Sequence, residues 1–429
     1  MQSEILIRPA KELRGRIVLP ASKSISNRAL VINALAGRRG EFPENVSECD
    51  DTQVMMRWLS GDDSLVDVGA AGTAMRFSTA LLTVIPGEHV ITGSERMKHR
   101  PIGVLVDALR QLGADVRYEG EEGFPPLRIV GNADLEGGEV ELAGNVSSQF
   151  VSALLMIAPV LRRGLTLKLT GEIVSRPYIN MTLKMMRDFG AKGGWLKGSR
   201  GLHIEPGGYV PTAYRVESDW SAASYWYEMV ALSPDADACV ELPGLYQRSL
   251  QGDQRVSVLF DLLGVRTEFV RRKGQLPMVR LTKSKDVRKH VAYDLVRQPD
   301  LAQTFVVTCA MLGTGFHFKG LQSLRIKETD RLTALRTEMA KLGVDVKEID
   351  GRALTANARS EEEEQAFRSR SYADVVFDTY DDHRMAMAFA PATLTVGPLR
   401  MRNPEVVSKS YPRFWEDLRS VGFEVEVKS

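Results

Sequence analysis

Cysteine is scarce in this 429-residue chain. Cys49, Cys239 and Cys309 lie far apart and form no CxxC pair, which argues against a disulfide framework and a structural zinc site. The histidines, His89, His99, His203, His290, His317 and His383, show no metal-ligand spacing, so no resident metal is expected. A dominant charge sign is missing too: Lys and Arg total 56, Asp and Glu 55, and the net charge is +1. No general field therefore draws the chain to nucleic acid or to an acidic membrane, and any anion site must be local. Long hydrophobic runs are absent. The longest, "ALLMIAPVL" at 153–161, is too short to span a bilayer and contains Pro159. The opening "MQSEILIRPAKELRG" has neither an apolar core nor a signal-cleavage pattern. These absences point to a cytoplasmic enzyme or binding protein with no membrane attachment.

What is present fits a soluble globular protein: 44% apolar and 26% charged residues, in a length that suggests roughly three domains. A phrase recurs along the chain. "VLVDALRQLGADVRY" (104–118), "TLKMMRDFGAKGGW" (182–195), "VSVLFDLLGVRTEF" (256–269), "LRTEMAKLGVDVKE" (335–348) and "FWEDLRSVGFEVEV" (414–427) each read as an amphipathic helix, a Gly and a strand. "VMMRWLSGDDSLVDV" (54–68) is a looser sixth copy. The glycines at 113, 190, 264, 343 and 422 suit left-handed helix C-caps and recur about every 75 residues. Further helices are expected over 73–84, 148–160, 220–231, 300–312 and 381–395, with strands at "PLRIVG", "GLHIEP" and "VELAG". The content implies α/β units. The acidic tract "SEEEEQAF" (360–367) reads as a solvated segment without assigned function.

Several stretches place cations and hydroxyls at helix starts or loops. "LPASKSISNRAL" (19–30) sets Lys23 and Arg28 among Ser22, Ser24 and Ser26, a set suited to a phosphate at a helix N-terminus. Alone, it reads first as a capped helix start. "GAAGTAMRF" (69–77) leads into a helix with Thr73 and Arg76 on its first turn, and lacks the Lys-Ser/Thr ending of a P-loop. Tight helix packing explains it equally well. "SERMKHRPIG" (94–103) puts Arg96, Lys98 and Arg100 in an extended segment, or simply in a wet surface loop. "NVSSQF" (145–150) offers two serines and an amide where capping needs one serine. "RIKETDRL" (325–332) would set Lys327 with Arg331, and Glu328 with Leu332, on shared helix faces, as in any salt-bridged surface helix. "YDDHRMAMAF" (380–389) puts Asp382, His383 and Arg384 before an apolar helix. Together these stretches, drawn from both halves of a nearly neutral chain, imply a cleft that recruits anionic ligands.

In this order, with "SLQGD" (249–253) and "SKSYPRF" (408–414), the motifs resemble the 5-enolpyruvylshikimate-3-phosphate synthase family over about residues 5–425. The resemblance implies an α/β, two-lobed enolpyruvyl transferase fold, each lobe of three βαβαββ-type units, six repeats in all. One lobe would span 20–217 and the other 1–19 plus 218–429, with the active site in the cleft between them. It implies transfer of the enolpyruvyl group of phosphoenolpyruvate to the 5-hydroxyl of shikimate 3-phosphate, with release of phosphate, by a cytoplasmic monomer needing no cofactor and inhibited by glyphosate. By the family pattern, phosphoenolpyruvate falls to Lys23, Gly72, Arg100, Gln149, Arg331, Arg384 and Lys409. Shikimate 3-phosphate falls to Lys23, Ser24, Arg28, Ser147, Ser148, Gln149, Ser175, Tyr178, Asp300 and Lys327. The chemistry requires a base near the hydroxyl and an acid near the methylene; the resemblance assigns Asp300 to the first and Lys23 with Glu328 to the second.

The chain departs from the family pattern at Ala70 for Asn, Phe77 for Pro and Ser323 for Asn, and more mildly at Ala21 for Gly and Asp381 for Asn. Ala70 removes a donor from the phosphoenolpyruvate site, and Phe77 is expected to shift its helix. The related transferase acting on UDP-N-acetylglucosamine uses a loop Cys, absent from "ERMKHRP" here. A catalytically dead sensor of phosphorylated metabolites is opposed by intact Lys23, Asp300, Glu328 and Arg384.

Overall fold

The computed structural model describes residues 3–61, 63–198 and 200–428. They group into two compact units: a discontinuous one, Met1–Pro20 with Glu217–Ser429, and a continuous one, Ala21–Val216. Strand pairing explains why the N-terminal segment joins the distant half. Glu4–Arg8 lies between Leu399–Arg402 and Glu424–Lys428, and Arg14–Arg16 runs parallel to Cys239–Pro243.

One sheet plan is used five times among the described residues. In the continuous unit, Leu65–Asp67 pairs parallel with Gly87–Thr92, which pairs antiparallel with Leu127–Gly131, which pairs antiparallel with Asp115–Tyr118. Gly138–Ala143, Leu165–Thr170, Gly201–Ile204 and Gly193–Trp195 repeat that order. In the discontinuous unit it recurs with Arg14–Arg16, Cys239–Pro243, Met278–Val287 and Leu263–Val270. It recurs again with His290–Asp294, Gly315–Lys319, Ala353–Ala356 and Lys347–Ile349. The fifth sheet orders Val376–Phe377, Leu399–Arg402, Glu4–Arg8 and Glu424–Lys428. The looser copy belongs to a unit that keeps helices Lys23–Leu35 and Asp50–Ser60 and a single parallel bridge, Glu44 to Arg215.

Each parallel pair needs a crossover, and a helix supplies it. These helices are Gly72–Leu82, Ser148–Ile157, Trp220–Leu232, Ala302–Met311 and His383–Phe389. All ten residues of Ala302–Met311 are buried, so these segments read as nearly continuous apolar runs and not as amphipathic ones. Phe305 packs between Phe260 and Phe318, with ring centroids 5.0 and 6.0 Å away. The amphipathic helices of the recurring phrase, such as Gly103–Gln111, Arg176–Asp188 and Arg331–Lys341, come later in each unit. Motif residues gather where both helix kinds begin.

Gly113, Gly190, Gly343 and Gly422 all follow helices with φ between 76° and 96°, as left-handed C-caps require. Gly264 departs from the expectation. The helix there is only Val256–Leu259, a 3-10 turn covers Phe260–Leu262, and Gly264 lies inside strand Leu263–Val270 at φ 82°. The register shifts between Leu263 and Val265; positive φ serves a bulge as readily as a cap.

Two motif expectations are also corrected. Residues 95–98 form a helical turn where an extended segment was expected, because Ser94 caps the Met97 N–H and the Met97 side chain is buried. In "RIKETDRL" the helix starts only at Arg331, capped by Asp330, after a 3-10 turn at Gln322–Ile326. Lys327 and Glu328 therefore precede the helix and share no helix face. The acidic tract is helix Glu361–Ser369, opened by a Ser360–Glu363 capping box, with only Phe367 buried. No helix of the described residues is long and apolar enough to cross a membrane.

Candidate active site

In the continuous unit the motif residues collect around the starts of four helices. Ser22 occupies the N-cap of Lys23–Leu35 without a side-chain capping bond, so capping does not account for that serine. Ser147, in contrast, accepts from the Gln149 N–H at 3.3 Å, leaving Ser148 as the extra hydroxyl. Ser175 precedes Arg176–Asp188 at φ 52°, and Tyr178 lies on that helix's first turn.

Arg28 is the most unusual cation in this unit. It is buried, donating to Thr182 Oγ1 at 2.7 Å, Ser152 Oγ at 3.0 Å and the Ser24 carbonyl at 2.8 Å. The rings of Phe77 and Tyr178 lie 5.2 and 5.9 Å from its guanidinium carbon. None of these partners is a carboxylate. Burial draws its pKa down to about 10, since desolvation penalises a charge that neutral dipoles stabilise only in part.

Gly72, Thr73, Arg76, Arg100 and Gln149 form a second cluster. Arg76 Nη1 donates to the Gly72 carbonyl and to Gln149 Oε1, each at 3.0 Å, and Gln149 Nε2 donates to Thr73 Oγ1 at 3.1 Å. A Cβ on Gly72 would lie 2.7 Å from Arg100 Nη1 and 2.9 Å from Arg76 Nη1. The glycine thus allows two guanidinium groups to approach one helix start. Ala70 is exposed in the turn before it. Phe77 sits fully buried in the middle of a continuous helix, Gly72–Leu82; its contact with Arg28 is the feature the sequence did not disclose.

In the discontinuous unit, Asp300, Lys327, Glu328, Arg331 and Arg384 converge. Asp300 Oδ1 lies 3.0 Å from Arg331 Nη1 and 3.6 Å from Lys327 Nζ, while its Oδ2 lies 3.2 Å from Arg384 Nη2. Glu328 accepts from Arg331 Nη2 at 2.8 Å. Burial alone would raise the Asp300 carboxyl, but Arg384, Lys327 and Arg331 together hold it well below the usual carboxylate range. Lys409 donates to the Asp381 carbonyl at 2.6 Å, beside this cluster.

Asp382 is the hub that the motif reading named without a role. Fully buried, it accepts from Arg331 Nε at 2.6 Å and Nη2 at 3.2 Å and caps its own helix through the Arg384 N–H at 2.9 Å. Its place immediately before an apolar helix was the available signal. Asp253, from "SLQGD", is buried and accepts from Ser221 Oγ at 2.5 Å; burial, then the nearby Asp300 charge, pushes its carboxyl up to about 7. Ser323 is half-buried in the 3-10 turn before Lys327.

Chemically, each unit offers a multi-donor cationic site. Arg28 lies among neutral dipoles, while Arg331, Arg384 and Lys327 are held in a carboxylate network that a bound anion would have to rearrange. Comparison with known proteins gives these sites a context. The profile of the family described as EPSP synthase (3-phosphoshikimate 1-carboxyvinyltransferase) matches residues 57–418. A Bacteroides fragilis 3-phosphoshikimate 1-carboxyvinyltransferase is 51% identical over 422 residues, 98% of each chain. The Vibrio cholerae protein of that name is 34% identical, over 96% of this chain and 98% of its own. An EPSP synthase structure from Acinetobacter baumannii shares the fold, with a TM-score of 0.76 over 100% of both chains at 22% identity. With its motifs, its repeated sheet plan and these full-length similarities in agreement, the chain belongs to the EPSP synthase family.

Proposed function

We propose that this enzyme is a 3-phosphoshikimate 1-carboxyvinyltransferase, transferring the enolpyruvyl group of phosphoenolpyruvate to the 5-hydroxyl of shikimate 3-phosphate and releasing phosphate in the shikimate pathway, toward chorismate and the aromatic amino acids. The observation that carries the reading is the 51% identity, over nearly the whole of both chains, to a relative of that name.

The geometry supports roles for the residues. Arg28, buried among neutral acceptors, gains most from an anionic or polyhydroxy ligand; with Lys23, Ser24, Ser147, Ser148, Gln149, Ser175 and Tyr178 it takes up shikimate 3-phosphate. Gly72, Arg100 and Gln149, with Lys23, Arg331, Arg384 and Lys409, take up phosphoenolpyruvate. Lys327 and Asp300 complete the shikimate ligand set.

Asp300 acts as the base, through a charge exchange. With three cations around it the carboxylate is stabilised and weakly basic. Phosphate and carboxylate groups arriving at Arg331, Arg384 and Lys327 share that positive charge, so the Asp300 carboxylate rises toward a pKa useful for taking the hydroxyl proton. Glu328 and Lys23 deliver a proton to the methylene carbon, and the hydroxyl attacks the adjacent cation-like carbon. The resulting adduct loses phosphate as a methyl proton is removed, restoring the double bond. The charges that neutralise phosphoenolpyruvate come from side chains, so turnover proceeds without an added divalent metal. The same reading makes glyphosate, with a phosphonate and a carboxylate, a competitor of phosphoenolpyruvate, and takes the protein to be a cytoplasmic monomer.

Phosphate release measured with both substrates, with each alone, and with chelator tests the reading. Release only when both are present, and unchanged by chelator, is expected. Failure to release phosphate with both substrates would overturn it.

A further inference from the structure

Tyr380 and Asp381 stand consecutively at φ 54° and 53°, immediately before Asp382, His383 and Arg384. The left-handed region is unfavourable for side-chain-bearing residues and most of all for bulky ones, so two in succession persist only where the surroundings enforce them. Tyr380 Oη donates to Glu338 Oε1 at 2.6 Å. Glu338 is fully buried, and its Oε2 accepts the Asp378 N–H at 3.2 Å and pairs with Lys341 Nζ at 2.8 Å. Lys341 reaches on to Asp378 at 3.0 Å and to the Val376 carbonyl at 2.9 Å. At the other end of the turn, Lys409 holds the Asp381 carbonyl.

Glu338 lies on Arg331–Lys341, the helix whose first residue is Arg331. That helix therefore touches the turn twice. Arg331 meets Asp382 at one point, and Glu338 meets Tyr380 at the other. We propose that the Glu338–Tyr380 hydrogen bond is a positioning device for the reaction, holding the left-handed turn so that Asp382 fixes the Arg331 guanidinium and the following helix aims Arg384 at Asp300. The proposal rests on the functional reading above, in which Arg331 and Arg384 bind phosphoenolpyruvate. Glu338 and Tyr380 act through those arginines and touch no reacting group.

Tyr380→Phe deletes only the hydroxyl. It should raise KM for phosphoenolpyruvate about tenfold, a change typical of losing a hydrogen bond to a charged acceptor, with kcat changed less. Glu338→Gln, which retains an acceptor, should fall between parent and Tyr380→Phe. Adding Asp381→Gly to Tyr380→Phe removes the left-handed cost at one of the two positions and should recover most of the lost affinity. Backbone amide exchange over 378–385 in the substrate-free protein should be faster in Tyr380→Phe and slowed again in the double variant. Parental KM and parental exchange in Tyr380→Phe would overturn the device, as would a KM defect that the glycine leaves untouched. If the parent protein showed no phosphate release, the functional reading would fall, and unchanged exchange in Tyr380→Phe would separately overturn the clamp.

Discussion

Replacing Asp300 by Asn exchanges a carboxylate for a neutral group of the same shape at the point where three cations meet. The carboxylate oxygens lie 3.0 Å from Arg331, 3.2 Å from Arg384 and 3.6 Å from Lys327. At an effective dielectric constant of about 20, each contact is worth roughly 5 kcal/mol of gross attraction. Desolvation offsets most of that, and breaking a buried pair costs about 3–5 kcal/mol net. Arg331 keeps Asp382 and Glu328, which places the expected loss near the lower figure and leaves a folded protein with a lowered Tm. The kinetic effect should be larger in kind. With Asp300 as the proposed base, turnover should fall by about 10²–10⁴-fold, while shikimate 3-phosphate still binds, because the amide retains hydrogen-bonding capacity and the cations retain their charge. The assay is phosphate release at saturating substrates, paired with calorimetric titration of shikimate 3-phosphate. Turnover within a fewfold of the parent would remove Asp300 from the chemistry. Lost binding with intact turnover per bound complex would reassign it to ligand recognition.

Gly72→Ala should raise KM for phosphoenolpyruvate and weaken glyphosate inhibition together, about tenfold each, because its Cβ would displace the Arg100 and Arg76 guanidinium groups; steady-state kinetics with unchanged values would refute this. Phe77→Leu removes the ring beside Arg28, a contact worth about 0.5–2 kcal/mol, and should raise KM for shikimate 3-phosphate several-fold while leaving that for phosphoenolpyruvate nearly unchanged; equal changes in both would instead indicate a shifted helix. Asp253, pushed up to about 7 by burial and the Asp300 charge, binds its proton more tightly folded than unfolded. Its contribution to stability is therefore complete below its ordinary value near 3.8 and is lost as pH rises through about 7, on the order of 4 kcal/mol in all. Urea unfolding across pH 4–8 should show a shallower decline for Asp253→Asn, and parallel pH profiles would sink the assignment.

Features that depend on neighbours in sequence were legible before the structure. Gly113, Gly190, Gly343 and Gly422 mark helix ends because a left-handed residue is needed there, whatever the rest of the chain does. Crossover helices such as Ala302–Met311 announce themselves as apolar runs, since both flanks are covered. The motif stretches identify a family because their residue types and order are a property of the chain itself. Which charges meet was decided by tertiary structure. Lys327 and Glu328 were read onto one helix with Arg331, but Asp330 caps that helix and leaves them outside it. They reach the Asp300 cluster because the segment leading into Arg331–Lys341 lies beside the start of the crossover helix Ala302–Met311. Asp382 became the partner of Arg331, and Phe77 the neighbour of Arg28, across 51 and 49 positions of sequence. A hydrogen bond or ion pair acts over about 3–4 Å, a distance that local sequence sets only between near neighbours. Between remote residues the packing of sheets and helices sets it, and with it the burial, the pairing and the basicity of the groups that do the chemistry.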